Sequence, residues 1–192
     1  MKDHRQQKIN YVIYTDNARK RFLLCILYFL FSGFSYSSFG QSAEEYFDSG
    51  NQKFESKNYS GAIADISKAI ELKSDYVAAY FLRAEAKKNL KDFRGSLLDF
   101  NKALSIKPSN DTTMAVVYLD RGMVKLNLND LIGGESDFTK AIAIKSHYAE
   151  AYFNRGIARL MLKKKSAGCM DLSKAGELGL SRAYEIIQEE CQ

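Results

Sequence analysis

"VAAYFLRAEAKKNLKDFRGSLLDFNKALSIKPSN", residues 77–110, decides the fold. Apolar and small residues recur three and four apart in two of its segments, as in Tyr80 and Ala84 and then Leu97, Phe100, Ala103 and Leu104. That is the period of an amphipathic helix, and "KDFRG" between the two segments reads as a turn. The stretch is a helix-turn-helix.

Three other stretches share its register. Gly50, Ala84, Gly122 and Gly156 are separated by 34, 38 and 34 residues. The same intervals link Ala62, Ser96, Gly134 and Gly168, then Asp65, Asp99, Asp137 and Asp171, then Ala69, Ala103, Ala141 and Ala175. Four columns in one register define a repeat, and repeats of this length stack into arrays. Small residues in the first two columns let the helices of one unit approach closely, and the alanine column admits the next unit. Tyr59, Phe93 and Leu131, with Ile66, Phe100 and Phe138, fill the space between. The longer interval places four extra residues within "PSNDTTM", residues 108–114. About one helical turn is added, which predicts a longer helix leading into Ala115, capped by Ser109, Asn110 or Asp111.

The units resemble tetratricopeptide repeats. The resemblance is carried by Tyr46, Gly50, Ala62, Ile66 and Ala69 in the first unit, by Tyr80, Ala84, Ser96, Phe100, Ala103 and Pro108 in the second, and by Tyr118, Gly122, Gly134, Phe138 and Ala141 in the third. Only the second unit ends in proline, and Lys165 stands where the fourth should carry its inter-helix aromatic. The implied fold is all-α: a right-handed superhelical solenoid of four units, residues 43–76, 77–110, 115–148 and 149–180, closed by a capping helix over 181–190. The resemblance also implies a concave groove lined by the first helix of each unit and able to take an extended or helical peptide segment. The matching positions are Phe47, Asn51, Phe54, Phe81, Glu85, Lys88, Leu119, Met123, Leu126, Phe153, Asn154, Ile157 and Leu160. About half of them are expected to be exposed. One branch of the family clamps the terminal carboxylate of chaperones with lysine, asparagine and arginine. At those places this chain has Phe47, Asn51, Leu82, Val116 and Asp120, so only Asn51 fits.

Charges repeat as well. Arg83, Arg121 and Arg155 precede the small residue in units two to four, whereas unit one has Ser49. Unit one has no predecessor, so the asymmetry suggests that each arginine pairs with the aspartate of the preceding unit: Asp65 with Arg83, Asp99 with Arg121 and Asp137 with Arg155. Pairing within a unit, or a solvated face, is the alternative. Lys53, Lys87, Lys125 and Arg159 form a second basic column, read as a solvated edge over which long side chains snorkel, with contact to an anionic ligand as the alternative.

The net charge of +5 does not point to nucleic acid, because residues 1–40 hold six basic residues against two acidic ones and the rest of the chain 22 against 21. A nearly neutral body releases few counterions. In the N-terminal stretch, Arg19, Lys20 and Arg21 precede the apolar run Phe22–Phe31 and the small residues Ser38 and Gly40, the pattern of a secretory signal peptide with cleavage after Gly40. The alternative is an uncleaved membrane anchor. Past residue 40 the only histidine is His147, and no phosphate loop, metal-ligand spacing or activated nucleophile is present. The expected function is a non-catalytic adaptor or scaffold in the periplasm or outside the cell, a monomer binding a protein or peptide segment without cofactor or metal. A structural subunit of a cell-envelope complex, using convex or edge surfaces, is the alternative.

Cys169 and Cys191 are the only cysteines after the leader. Each lies nine residues from the turn at 179–181, so an antiparallel hairpin sets them side by side. A disulfide fastening the capping helix to the fourth unit is expected in an oxidising compartment, with two free thiols as the alternative. Ser181 is the expected N-cap of the closing helix.

Overall fold

A computed structural model describes residues 42–106 and 111–191; the predicted leader, and Ser109 and Asn110 as cap candidates, lie outside them. The described residues form helices and turns only. In chain order the helices are α1 (Ala43–Glu55), α2 (Tyr59–Leu72), α3 (Val77–Asn89), α4 (Phe93–Ser105), α5 (Asp111–Asn127), α6 (Leu131–Ile144), α7 (Ala149–Met161), α8 (Lys165–Glu177) and α9 (Arg182–Glu190). α1 with α2, α3 with α4, α5 with α6 and α7 with α8 make four hairpins, and each second helix packs on the first helix of the next. α5 has 17 residues against 13 in α1, α3 and α7, so the four inserted residues extend it as one added turn. Asp111 is already helical rather than a residue outside the helix.

Each hairpin closes over one large side chain. Ile66, Phe100, Phe138 and Leu172 occupy the same column and are fully buried. Opposite them the first helix must be small: a Cβ on Gly50 would lie 2.5 Å from Ile66 Cγ1, and one on Gly122 2.6 Å from Phe138 Cε1. The second small column serves the backbone, since a Cβ on Gly134 would lie 3.2 Å from the carbonyl oxygen of Gly122. Ser96 occupies that column in α4, and its buried hydroxyl has no hydrogen-bond partner. An orphaned hydroxyl opposes folding.

The turns repeat too. Lys57, Lys91, Asn129 and Lys163 adopt φ of 60–62°. In the first three units the next residue caps the second helix: Asn58, Asp92 and Asp130 accept from the backbone N–H of Gly61, Gly95 and Gly133. A side chain at those glycines would strike the cap. The fourth unit has Lys164, which makes no side-chain cap, and correspondingly tolerates Ala167. Its irregularity extends beyond Lys165.

The expected inter-repeat pairs Asp65 with Arg83, Asp99 with Arg121 and Asp137 with Arg155 do not form. Each arginine holds the aspartate of its own unit through Nε and Nη2: Arg83 on Asp99 at 2.9 and 2.7 Å, Arg121 on Asp137 at 2.8 and 2.7 Å, Arg155 on Asp171 at 2.8 and 2.8 Å. The planar fork fits a carboxylate bidentately, and that partner stands directly across the hairpin. The remaining nitrogen does cross to the preceding unit, where Nη1 donates to Ser67, Asn101 and Thr139, each two residues beyond the aspartate first expected. Unit one, with no predecessor, uses Ser49 on Asp65 instead. The contact across units goes to a neutral acceptor.

The basic column is not a solvated edge either. Lys53, Lys87, Lys125 and Arg159 each place a cation 2.6–2.8 Å from the same four aspartates. Each arginine also lies over the tyrosine three residues earlier, Tyr80, Tyr118 or Tyr152, at 5.4–5.5 Å from the ring centre.

At the C-terminal end Cys169 and Cys191 are joined, with a Cα–Cα distance of 5.8 Å. α8 ends as Gly179 takes φ +97°, while the Leu180 N–H donates to the Ala175 carbonyl at 3.0 Å. Ser181 does not cap α9, because its backbone is already in the helical region and its side chain makes no cap bond. Gly176 is the docking point of α9: a Cβ there would lie 2.6 Å from the Tyr184 ring.

Asp137→Ala would strand Arg121 and Lys125 inside the stack and is expected to cost about 3–5 kcal/mol in urea unfolding. Asp65→Ala should cost far less, because its lysine is already 39% exposed. Ser96→Ala should leave stability unchanged or raise it by about 1 kcal/mol. Reducing the disulfide should lower stability by about 3 kcal/mol in the chain-entropy model, with amide exchange accelerating in α8 and α9 before α1–α4.

Candidate functional site

Apart from Lys88, the cations of the first helices turn toward the second helices, which leaves the opposite side of α1, α3, α5 and α7 as the surface where a groove was expected. Of the thirteen positions assigned to it, Leu119 does not belong. It is 7% exposed and packs with Phe138, Ala141, Ala151 and Ala158. Leu126 and Leu160 are half-buried but close their own hairpins, lying over Gly134 and Gly168. Phe54 meets Tyr59 of its own unit edge-on at 5.4 Å between ring centres.

Phe47, Asn51, Phe81, Glu85, Lys88, Met123, Phe153, Asn154 and Ile157 remain, all half-buried. None of the thirteen stands in the open, against the expectation for about half of them. First helices of neighbouring units touch, α1 with α3 and α5 with α7. Aromatic rings lean on the next element: Phe47 on Tyr76 at 4.9 Å and Phe81 on Phe100 at 5.8 Å. Asn51 and Asn154 are held by Glu55 and by the Glu150 carbonyl. The Arg182 guanidinium of α9 lies 4.5 Å from the centre of the Phe153 ring.

One charged constellation bridges units two and three. Lys88 Nζ donates to Glu85 at 2.6 Å and to Asp120 at 3.1 Å, so two carboxylates share one ammonium. Burial pushes Glu85 up from the ordinary carboxylate range, and the Asp120 charge adds to the rise, against the pull of Lys88. Burial likewise raises Asp120, again opposed by Lys88. Further acids stand along the same helices. Burial, then Asp120 and Glu150, raise the Tyr148 phenol; burial, then Glu44, raise that of Tyr76, with a smaller push from Asp48.

Sequence reasoning met Asp120 only as a clamp position that does not fit, and missed Glu150, Tyr76 and Tyr148 as parts of this surface. A signal existed: Glu44 shares a column with Glu150, and Asp48 with Asp120. Each column is acidic in only two units of four, so neither stands out. His147 is exposed in the turn before α7 and meets only Ser146 Oγ, at 3.0 Å. Among the described residues, no three His, Cys, Asp or Glu side chains are placed to hold a metal ion, and no helix is long and apolar enough to cross a membrane.

Residues 77–110 match the tetratricopeptide repeat family model. The second hairpin is a tetratricopeptide repeat. The solenoid as a whole is similar to the crystal structure of MamA, at 20% identity over 76% of this chain and 78% of that one, with a TM-score of 0.69. It is similar to the first repeat domain of Spaghetti (RPAP3) bound to the HSP90 peptide SRMEEVD, at 22% identity over 64% and 94% of the two chains, TM-score 0.60. The repeat domain of Arabidopsis OM64 aligns at 24% identity over 63% and 97%, TM-score 0.58. At these identities the likeness is one of fold. No curated protein sequence matches the chain.

The raised carboxylates of this tetratricopeptide solenoid set a pH dependence. A carboxyl group raised by folding contributes stability that is complete below its unfolded value, about pH 4, and is lost as pH rises through the folded value. Glu85→Gln removes that loss. Thermal melting should show the variant more stable than wild type at pH 7 and equal to it near pH 3.

Proposed function

We propose that the protein is a non-catalytic adaptor that holds a segment of another protein along its first helices, outside the cytoplasm. One observation carries the reading. Phe47, Phe81, Met123, Phe153 and Ile157, on four successive first helices, are left partly open once the hairpins have closed. A row of apolar groups spaced by a repeat suits a chain that runs across the repeats. Met123 adds a flexible, polarizable contact. The aspartates that dominate the interior are engaged in holding the stack.

Export is supported from two directions. The basic and apolar N-terminal stretch has the order of a secretory signal, and a disulfide between Cys169 and Cys191 suits an oxidising compartment. The protein's partner is then a component of the envelope or of the extracellular space, bound by a single soluble copy. A second reading rests on Leu98, Ile132 and Met170, which stand 69%, 71% and 65% exposed on the second helices. In a structural subunit these would be covered by permanent neighbours.

Affinity capture from envelope extract distinguishes the two. Phe81→Glu with Met123→Glu should abolish capture while Leu98→Glu with Ile132→Glu leaves it intact. The reverse pattern would favour the structural subunit, and capture unaffected by either pair would rule out both surfaces.

A further inference from the structure

The first helices divide their charges between two sides. Arg83, Lys87, Arg121, Lys125, Arg155 and Arg159 are all spent on the buried aspartates of the second helices. The opposite side carries Glu44, Asp48, Glu85, Asp120 and Glu150, and among the described residues Lys88 is the one cation of these helices that meets them. Two of the acids are answered from elsewhere, Glu44 by Lys73 at 3.1 Å and Glu150 by Arg182. The surface keeps a negative excess although the chain beyond residue 40 is nearly neutral.

That excess is sharpest between α3 and α5. Lys88 sits closer to Glu85, at 2.6 Å, than to Asp120, at 3.1 Å, and Asp120 has no other partner among the described residues although it is only 9% exposed. Phe81 on α3 and Met123 on α5 are half-buried on the same helices, so apolar surface flanks the unbalanced carboxylate. A buried acid without a full countercharge opposes folding, and a guest cation held between apolar neighbours relieves it.

We infer that the groove between α3 and α5 receives a lysine or arginine side chain of the bound protein segment, with its cation on Asp120 while Lys88 stays on Glu85. The inference rests on the groove reading above and adds the chemistry of the partner: a basic side chain within an apolar stretch. Burial, which holds both carboxyls above their ordinary range, disfavours their charged forms, and an arriving cation reverses that. An acidic tail would meet the opposite field.

The test uses the folded protein and a phage-displayed library of random peptides of about 12 residues. Selected peptides should carry lysine or arginine beside apolar residues. In fluorescence anisotropy, Glu85→Gln with Asp120→Asn should weaken the best of them about tenfold, and replacing its basic residue by glutamine should weaken wild type equally. The two changes together should lose no more than either alone. Melting curves should show the double variant at least as stable as wild type; if it fails to fold, the peptide-side replacement still decides. Selection of no peptide, selection without basic enrichment, or equal binding of basic and glutamine peptides overturns the inference. If Phe81→Glu with Met123→Glu abolishes binding while the carboxylate variant does not weaken it, the charge preference falls and the groove stands. If neither variant affects binding, both fall.

Discussion

The structure depends on one buried aspartate per unit. Asp137 is fully buried, and its two oxygens are taken by the Arg121 fork and the Lys125 ammonium. A carboxylate in that position is tolerable only because two cations meet it, and two cations so close to each other are tolerable only because the carboxylate is there. The arrangement fixes the rotation of the first helix against the second. It also aims the third arginine nitrogen at the preceding unit, where a hydroxyl or amide of Ser67, Asn101 or Thr139 receives it. One side chain thereby closes its own hairpin and docks it on the one before.

Such a clasp explains what the column of small residues alone does not. Glycine and alanine permit close approach but prefer no particular angle. The bidentate pair, stacked over a tyrosine three residues earlier, supplies direction. Where the clasp is weakest, in the first unit, its arginine is replaced by Ser49 and its lysine is more than one-third exposed. The first hairpin has no predecessor to be aimed at, and less orientation is required of it.

The columns made the fold legible because each has one structural job, repeated along the chain: small against large in four units, aspartate against arginine and cap against glycine in three. The partner of each arginine was not legible, since a column lists which residues recur and not which copy meets which. Asp99 lies 16 residues after Arg83, and Asp65 lies 18 before it, so spacing does not choose between them. The groove was legible only in outline. Leu119 falls in the same column as Phe47, Phe81 and Phe153, yet it is nearly buried and packs with Phe138 and Ala151. Ser181 looked like a cap by type, but Gly179 had already turned the chain, and Ser181 enters the helix instead.

The distribution of charge follows from the same constraint. Units two and three each carry two cations on the first helix for one buried aspartate on the second and so leave an excess positive charge near their interior. In unit one, by contrast, Lys53 answers Asp65, and in unit four Arg159 also meets Glu135. A body that is nearly neutral beyond residue 40 must then carry its excess acids elsewhere. The described structure has some of them on the open side of the first helices, from Glu44 and Asp48 to Asp120 and Glu150. Packing and recognition thus share one charge pattern. The clasp that orients the hairpins withdraws arginine and lysine from the surface, and what it withdraws leaves that surface acidic.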